Sequence, residues 1–288
     1  MHLTGLFIHP VKSLRACAVA SAEVDTLGLV GDRRFLVVDE SGLFLTQRTH
    51  PRMALVATEL TADELVLRAD GASPLSVPLR APAPPEHRTV SVWRSHGLLA
   101  EDCGRDASAW LSDFLGVRCH LVRIGEKFRR PVLERPPYTS APPGAPMIDG
   151  RVVSSDLFHF ADGFPFLLVS EASLANLNDH LVAIGEEAVP MNRFRPNLVV
   201  TGCDAFAEDT WTRLRIGGLE FRSGGPCARC IVTTTDQFSG ERGKEPLRTL
   251  ATYRRDPADP TRINFGQNLI HETKSGTLRV GDPVEILS

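Results

Sequence analysis

The feature that most constrains the fold of this chain is its punctuation. Runs of β-favouring residues only a few positions long are separated again and again by Gly, Pro, Asp and Ser. Leu6-Phe7-Ile8, Arg34-Phe35-Leu36-Val37-Val38 and Glu64-Leu65-Val66-Leu67-Arg68 are such runs, and the 288 residues hold 23 Gly and 21 Pro. Many short strands bounded by turns are expected to curl into a barrel or sandwich. Helices are few. One is expected after Asp106 as N-cap, with Ala107, Trp110, Leu111, Phe114 and Leu115 at helical spacing and Gly116 to end it. A second starts near Ser170, with Leu174, Leu177 and Leu181 on one face. Leu198–Thr201 reads as a strand. Gly217-Gly218 joins Arg213–Ile216 to Leu219–Arg222 as a hairpin, and the chain closes in two strands around a turn between Gly276 and Leu287. The class expected is mainly β with a few helices, α+β.

At 42% hydrophobic residues a chain of this length buries substantial cores, and two domains are expected. A net charge of −3 provides no basic field, so neither nucleic acid nor an anionic membrane is expected as a partner. No apolar run is long enough to span a bilayer, and Met1-His2-Leu3-Thr4-Gly5 does not read as a signal peptide. The six cysteines, at 17, 103, 119, 203, 227 and 230, are scattered and read as reduced thiols in a cytoplasmic protein. From Arg129 to Pro146 the chain is crowded with Pro and Arg. Its six prolines are expected to forbid helix and break strand pairing, leaving either a linker or a loop lining a site. Arg129-Arg130 reads first as solvated charge; substrate gating is the sharper alternative.

The stretch that points to chemistry is Pro226-Cys227-Ala228-Arg229-Cys230. A thiolate is a soft metal ligand, and an adjacent guanidinium favours the ionised sulfur. The following Ile231-Val232-Thr233-Thr234-Thr235 is β-branched and reads as a strand, unlike the helix start of a thioredoxin-like pair. A closed zinc site needs about four ligands, and no second C-x-x-C or His pair at finger spacing is present. Two structural thiols, one reactive or metal-bound thiolate, and a zinc or dithiol pair all remain open on spacing alone.

Taken with its neighbours, the chain resembles the MOSC family, in particular the mitochondrial amidoxime-reducing components and bacterial YcbX-type proteins. The resemblance runs through His9-Pro10-Val11-Lys12-Ser13, Gly31-Asp32-Arg33-Arg34-Phe35, Asp102-Cys103-Gly104, Ser170-Glu171-Ala172-Ser173-Leu174 and Arg193-Phe194-Arg195-Pro196-Asn197. It continues through Gly202-Cys203-Asp204, Cys227-Ala228-Arg229-Cys230, Lys244-Glu245-Pro246-Leu247, Phe265-Gly266-Gln267 and Val280-Gly281-Asp282-Pro283-Val284. It implies an N-terminal β-barrel domain over 1–125, the Pro/Arg-rich connecting loop over 126–150, and a MOSC β-barrel domain over 151–288, with a cofactor cleft between the two domains.

The resemblance implies a molybdenum–molybdopterin cofactor whose metal takes the Cys230 sulfur, Cys230 being the catalytic and metal-binding residue and Cys227 a nearby thiol. It implies further that Lys12, Ser13, Arg33, Arg195, Asn197 and Arg229 contact the pterin and its phosphate. Ala228 stands where the amidoxime-reducing relatives have serine, and Gly163 and Phe164 where they carry hydroxyl side chains. The activity implied is reduction of N-hydroxylated small molecules: amidoximes, hydroxylamines and N-hydroxylated bases. The chain lacks a ferredoxin-type cysteine run, a C-x-x-C-H motif and G-x-G-x-x-G. No flavin, iron–sulfur cluster or pyridoxal phosphate is therefore expected, and electrons are expected from a separate ferredoxin or flavoprotein reductase. The alternatives are a sulfur carrier with a persulfide on Cys230 and a non-catalytic molybdopterin-binding protein.

Overall fold

A computed structural model describes residues 1–139, 142 and 144–288. The chain is mainly β. An eight-stranded sheet runs in the order Cys17–Ala18, His2–Ile8, Leu198–Thr201, Phe166–Ser170, Asn264–His271, Leu219–Ala228, Arg213–Ile216, Val284–Ile286. A four-stranded sheet orders Phe35–Val38, His120–Arg123, Ser95–Asp102 and His87–Val92, and three three-stranded sheets complete the structure.

The two halves of the chain share a sheet. His2–Ile8 pairs antiparallel with Leu198–Thr201, and Ser21–Asp25 pairs with Gly276–Arg279. Leu3, Leu6, Val24 and Leu29 therefore pack in one core with Phe166, Leu198, Leu214, Phe221 and Leu269. A separate core of the first half gathers Leu14, Phe35, Val37, Leu65 and Leu111. Lys12 and Ser13 follow the shared strand directly, so they are held where the halves meet.

Local signals account for the helices. α1, Arg105–Leu115, ends at Gly116 in the left-handed region (φ 70°), where a Cβ would be strained. Its cap is Gly104 rather than Asp106. Asp106 lies in the first turn, where its charge favours the helix N-terminus. α2, Glu171–Ala183, starts where Ser170 Oγ accepts the Ser173 N–H at 3.0 Å. Its Leu177 and Leu181 are fully buried against Val169, Phe194 and Phe265, a burial that stabilises by about 1.5–3 kcal/mol per side chain. The short α3 is Leu247–Tyr253.

Three further expectations are corrected. Ile231–Thr234 is a 3₁₀ turn, not a strand: Thr233 and Thr234 hydroxyls donate back to Cys230 O and Ile231 O at 3.0 and 2.9 Å, closing the turn despite β-branched propensity. Pro131–Glu134 is a strand paired with Arg151–Leu157. Pro131 stands at its first position, where a missing N–H is tolerated. Arg130 is not solvated but 1% exposed, donating to His159 O and Ala161 O at 2.8 and 2.6 Å. The two closing strands expected around a turn are Gly276–Arg279 and Val284–Ile286, and they join different sheets.

Candidate functional site

The strand Leu219–Ala228 ends at the cleft between the halves, and the chain then passes through Arg229 and Cys230 into the 3₁₀ turn. Opposite it lie the loop after His2–Ile8, carrying Lys12 and Ser13, and the turn at Arg33. The loop before Leu198–Thr201 contributes Arg195 and Asn197. All seven residues expected from the sequence line one cavity of about 160 Å³. Gly163, Phe164 and Ala228 line it as well.

The backbone here is strained. Six non-glycine residues among those described have positive φ, and four of them, Ser13 (69°), Arg33 (45°), Trp93 (53°) and Arg195 (55°), line this cavity. Such conformations cost of order 1–3 kcal/mol each and persist where surrounding structure over-determines them.

Asp32 is the fastening that sequence reasoning passed over, although it stands inside the Gly31-Asp32-Arg33 run. It is fully buried. Its carboxylate accepts the His9 N–H at 2.7 Å and Arg33 Nη1 at 2.5 Å, and lies 3.1 Å from His159 Nε2. Burial alone would raise its pKa, but Arg33 and His159 hold it well below the usual carboxylate range. His159 Nδ1 accepts the Ala161 N–H, so Nε2 carries the proton, and burial pushes the imidazole pKa down to about 4. Arg33 is thereby oriented, and its Nη1 also donates to Asn197 Oδ1 at 3.2 Å. Asn197 accepts the Leu167 N–H and donates to Phe7 O, which makes it a brace between strands as well as a lining residue.

Arg195 donates to Leu14 O at 2.7 Å and Gln237 Oε1 at 3.0 Å. Among the described residues it has no carboxylate partner; burial, and then the Arg33 charge, lower its pKa to about 9. Lys12 is 4% exposed and pairs with Asp162. Burial outweighs that carboxylate and brings its pKa to about 8. Asp162 is the cavity's acidic lining residue, bonded also to Trp93 Nε1 at 3.1 Å, while Arg48 lies 4.2 Å over the Trp93 ring.

The guanidinium beside the cysteines points to the sulfur not expected. Arg229 Nη1 donates to Cys227 Sγ at 2.9 Å, and Nη2 to Phe194 O at 2.6 Å. Burial raises the Cys227 pKa, offset in part by Arg229. Cys230 is half-buried and lines the cavity. Among the described residues no three His, Cys, Asp or Glu side chains converge as metal ligands, so a closed zinc site has no donor set here. Nor is any described helix long and apolar enough to cross a membrane.

Comparison with known proteins agrees with this architecture. The MOSC N-terminal beta barrel domain matches residues 1–118 and the MOSC domain matches residues 155–285. Mitochondrial amidoxime-reducing component 1 of Homo sapiens is 37% identical over 294 residues, spanning 98% of this chain and 82% of its own length. Mitochondrial amidoxime reducing component 2 of Bos taurus is 36% identical over 293 residues, covering 98% and 82%. Component 1 of Danio rerio is 34% identical over 294 residues, covering 98% and 83%. The chain therefore belongs to the MOSC-domain family, in the branch that carries a MOSC N-terminal β-barrel domain ahead of the MOSC domain.

Proposed function

We propose that this protein is a molybdenum-cofactor-dependent oxidoreductase that cleaves the N–O bond of N-hydroxylated compounds such as amidoximes and hydroxylamines. The observation that carries the reading is the gathering of the Cys230 thiol with the half-buried guanidinium groups of Arg33, Arg195 and Arg229 on the wall of one cavity, the last two without a carboxylate partner among the described residues. The relatives' name, amidoxime-reducing component, supports the same substrate class.

The residues fit an anionic, phosphate-bearing group on two observations. Among the described residues Arg195 has no carboxylate partner, and the buried Arg229 Nε has no hydrogen-bond partner. A half-buried cation so placed is stabilised when an anion arrives, and guanidinium forks bind phosphate bidentately. When bound, the molybdenum cofactor supplies a two-electron redox centre that accepts oxygen. Cys230 would present its sulfur to the metal; Arg33, Arg195 and Arg229 would grip the phosphate and pterin, with Lys12 adding a point charge and Ser13 a hydroxyl. Asp32 holds Arg33 in its bound orientation throughout.

The reaction balances as R–NHOH + 2e⁻ + 2H⁺ → R–NH₂ + H₂O: the N–O bond breaks, the nitrogen keeps the new hydrogen and oxygen leaves as water. The electrons come from a separate reduced redox protein, a ferredoxin or flavoprotein reductase. The test pairs Cys230→Ala with Cys227→Ala, using metal analysis and benzamidoxime turnover driven by reduced methyl viologen. Cys230→Ala abolishes turnover at an unchanged melting temperature, and Cys227→Ala is milder. The reverse ranking means the wrong sulfur was chosen, and stoichiometric zinc in place of molybdenum overturns the reading.

A further inference from the structure

A second chamber of about 290 Å³ adjoins the cavity just described, sharing Trp93, Asp162, Cys227 and Asn268 with it. Its lining carries six arginines against two carboxylates, Asp162 and Asp256. Of these arginines only Arg48 also lines the inner cavity, so the remaining five are not accounted for by a group held there.

Their pairing is incomplete. Arg262 lies 3.6 Å from Asp256, and the half-exposed Arg94 lies 3.4 Å from Asp149. Arg130, buried in the wall, is satisfied by carbonyls, and its guanidinium lies 4.2 Å over the Phe158 ring. Arg135 and Arg151 have no carboxylate within ion-pair distance among the described residues; Arg151 donates only to Leu133 O, at 3.5 Å. Burial, and then the Arg135 and Arg94 charges, lower the Arg151 pKa, which marks these three guanidiniums as close enough to repel one another. Like charges gathered at a cavity wall in excess of their counter-charges are a standing site for an anion.

The other surfaces are flat and aromatic. Gly224 and Gly225 remove side chains from the strand so that two rings lie on it. A Cβ at Gly224 would come within 2.4 Å of Phe164 Cε1, and one at Gly225, itself at φ +90°, within 2.7 Å of Tyr138 Cδ2. Phe158 and Trp93 complete an aromatic lining.

We propose that this outer chamber is a specificity subsite that selects planar N-hydroxylated substrates bearing a carboxylate or phosphate, with Arg94, Arg135 and Arg151 binding the anion while the N–O group reaches the inner cavity. The aromatic rings sandwich the planar body, and the reacting end points toward Cys230. This rests on the N-reductive reading above for the identity of the reacting group, but the anion site stands on its own geometry.

The test uses cofactor-loaded protein, with 4-carboxybenzamidoxime, its phosphate-bearing counterpart 4-(phosphonooxy)benzamidoxime and neutral benzamidoxime as probes. Binding is read by calorimetry and turnover by reduced methyl viologen oxidation. The anionic probes bind roughly tenfold or more tightly than the neutral one, the scale of one charge-assisted hydrogen bond, and the ratio shrinks as salt rises. Arg151→Gln and, on a more exposed side chain, Arg94→Gln each lower that ratio, while Arg151→Lys recovers part of it; the relative size of the two anionic probes' gains tells carboxylate from phosphate. Equal binding of charged and neutral probes, or an unchanged ratio in folded Arg151→Gln and Arg94→Gln, overturns the subsite. Anion-selective binding with no turnover of any probe would uphold the subsite and sink the N-reductive reading instead.

Discussion

Replacing Asp32 with Asn removes one charge from the centre of the site without changing its volume. The structure supplies the magnitude. Asp32 is fully buried and the Arg33 side chain only 12% exposed, so solvent screens their 2.5 Å contact little. Removing one partner of a buried pair leaves the other charge uncompensated and costs about 3–5 kcal/mol. For a chain of this size that is a fall in melting temperature of roughly 6–20 °C, at about 2–4 °C per kcal/mol. Asp32→Asn also loosens the hold on Arg33 and through it Asn197, so retained molybdenum falls with stability. The pH dependence adds a check. Because the folded carboxyl is held below its unfolded value of about 3.9, its contribution is complete above that value and lost only as pH falls beneath it. The gap between parent and variant is therefore flat from about pH 5 to 8. Thermal unfolding followed by circular dichroism across that range is the assay. A variant melting within about 2 °C of the parent at pH 7, or a gap that closes by pH 6, would refute the reasoning.

Other outcomes follow from the same geometry. Lys12 loses its proton near pH 8, so affinity for inorganic phosphate in cofactor-free protein, read by calorimetry, falls as pH rises through 8 and is flat in Lys12→Met. In the same protein, the depressed Lys12 value means its charged form costs stability. The group's contribution therefore improves as pH rises from about 8 toward its unfolded value of about 10.4. Arg195→Gln removes a half-buried cation without a carboxylate partner among the described residues; it sheds molybdenum on purification, yet cofactor-free protein melts no lower than the parent. Leu181→Ala, in the core beneath α2, lowers unfolding free energy by about 2–5 kcal/mol in denaturant titration.

What could be read from the chain was local. Gly116 ends α1, the Ser170 hydroxyl caps α2, and Gly217-Gly218 turns the hairpin between Arg213–Ile216 and Leu219–Arg222, because each is decided within a few residues by backbone freedom or a short hydrogen bond. The β-rich class followed from the same punctuation, and the site residues became visible through the resemblance of their motifs rather than through spacing. Propensity failed at Ile231–Thr234, where threonine hydroxyls bonding backward closed a turn, and at Pro131, where the first position of a strand needs no N–H.

Only the tertiary structure decided what stands across space from what. Pairing of His2–Ile8 with Leu198–Thr201 carries Lys12 and Arg33 to Arg195 and Arg229, and folds a charge as ordinary in sequence as Asp32 into a hub. It decided too that Arg229 bonds Cys227 while Cys230 lines the cavity, and that Arg130 lies inside the protein. Turns and caps are settled by neighbours along the backbone; the convergence of charges from residues 12 to 229 exists only once long-range strand pairing has closed the distance between them.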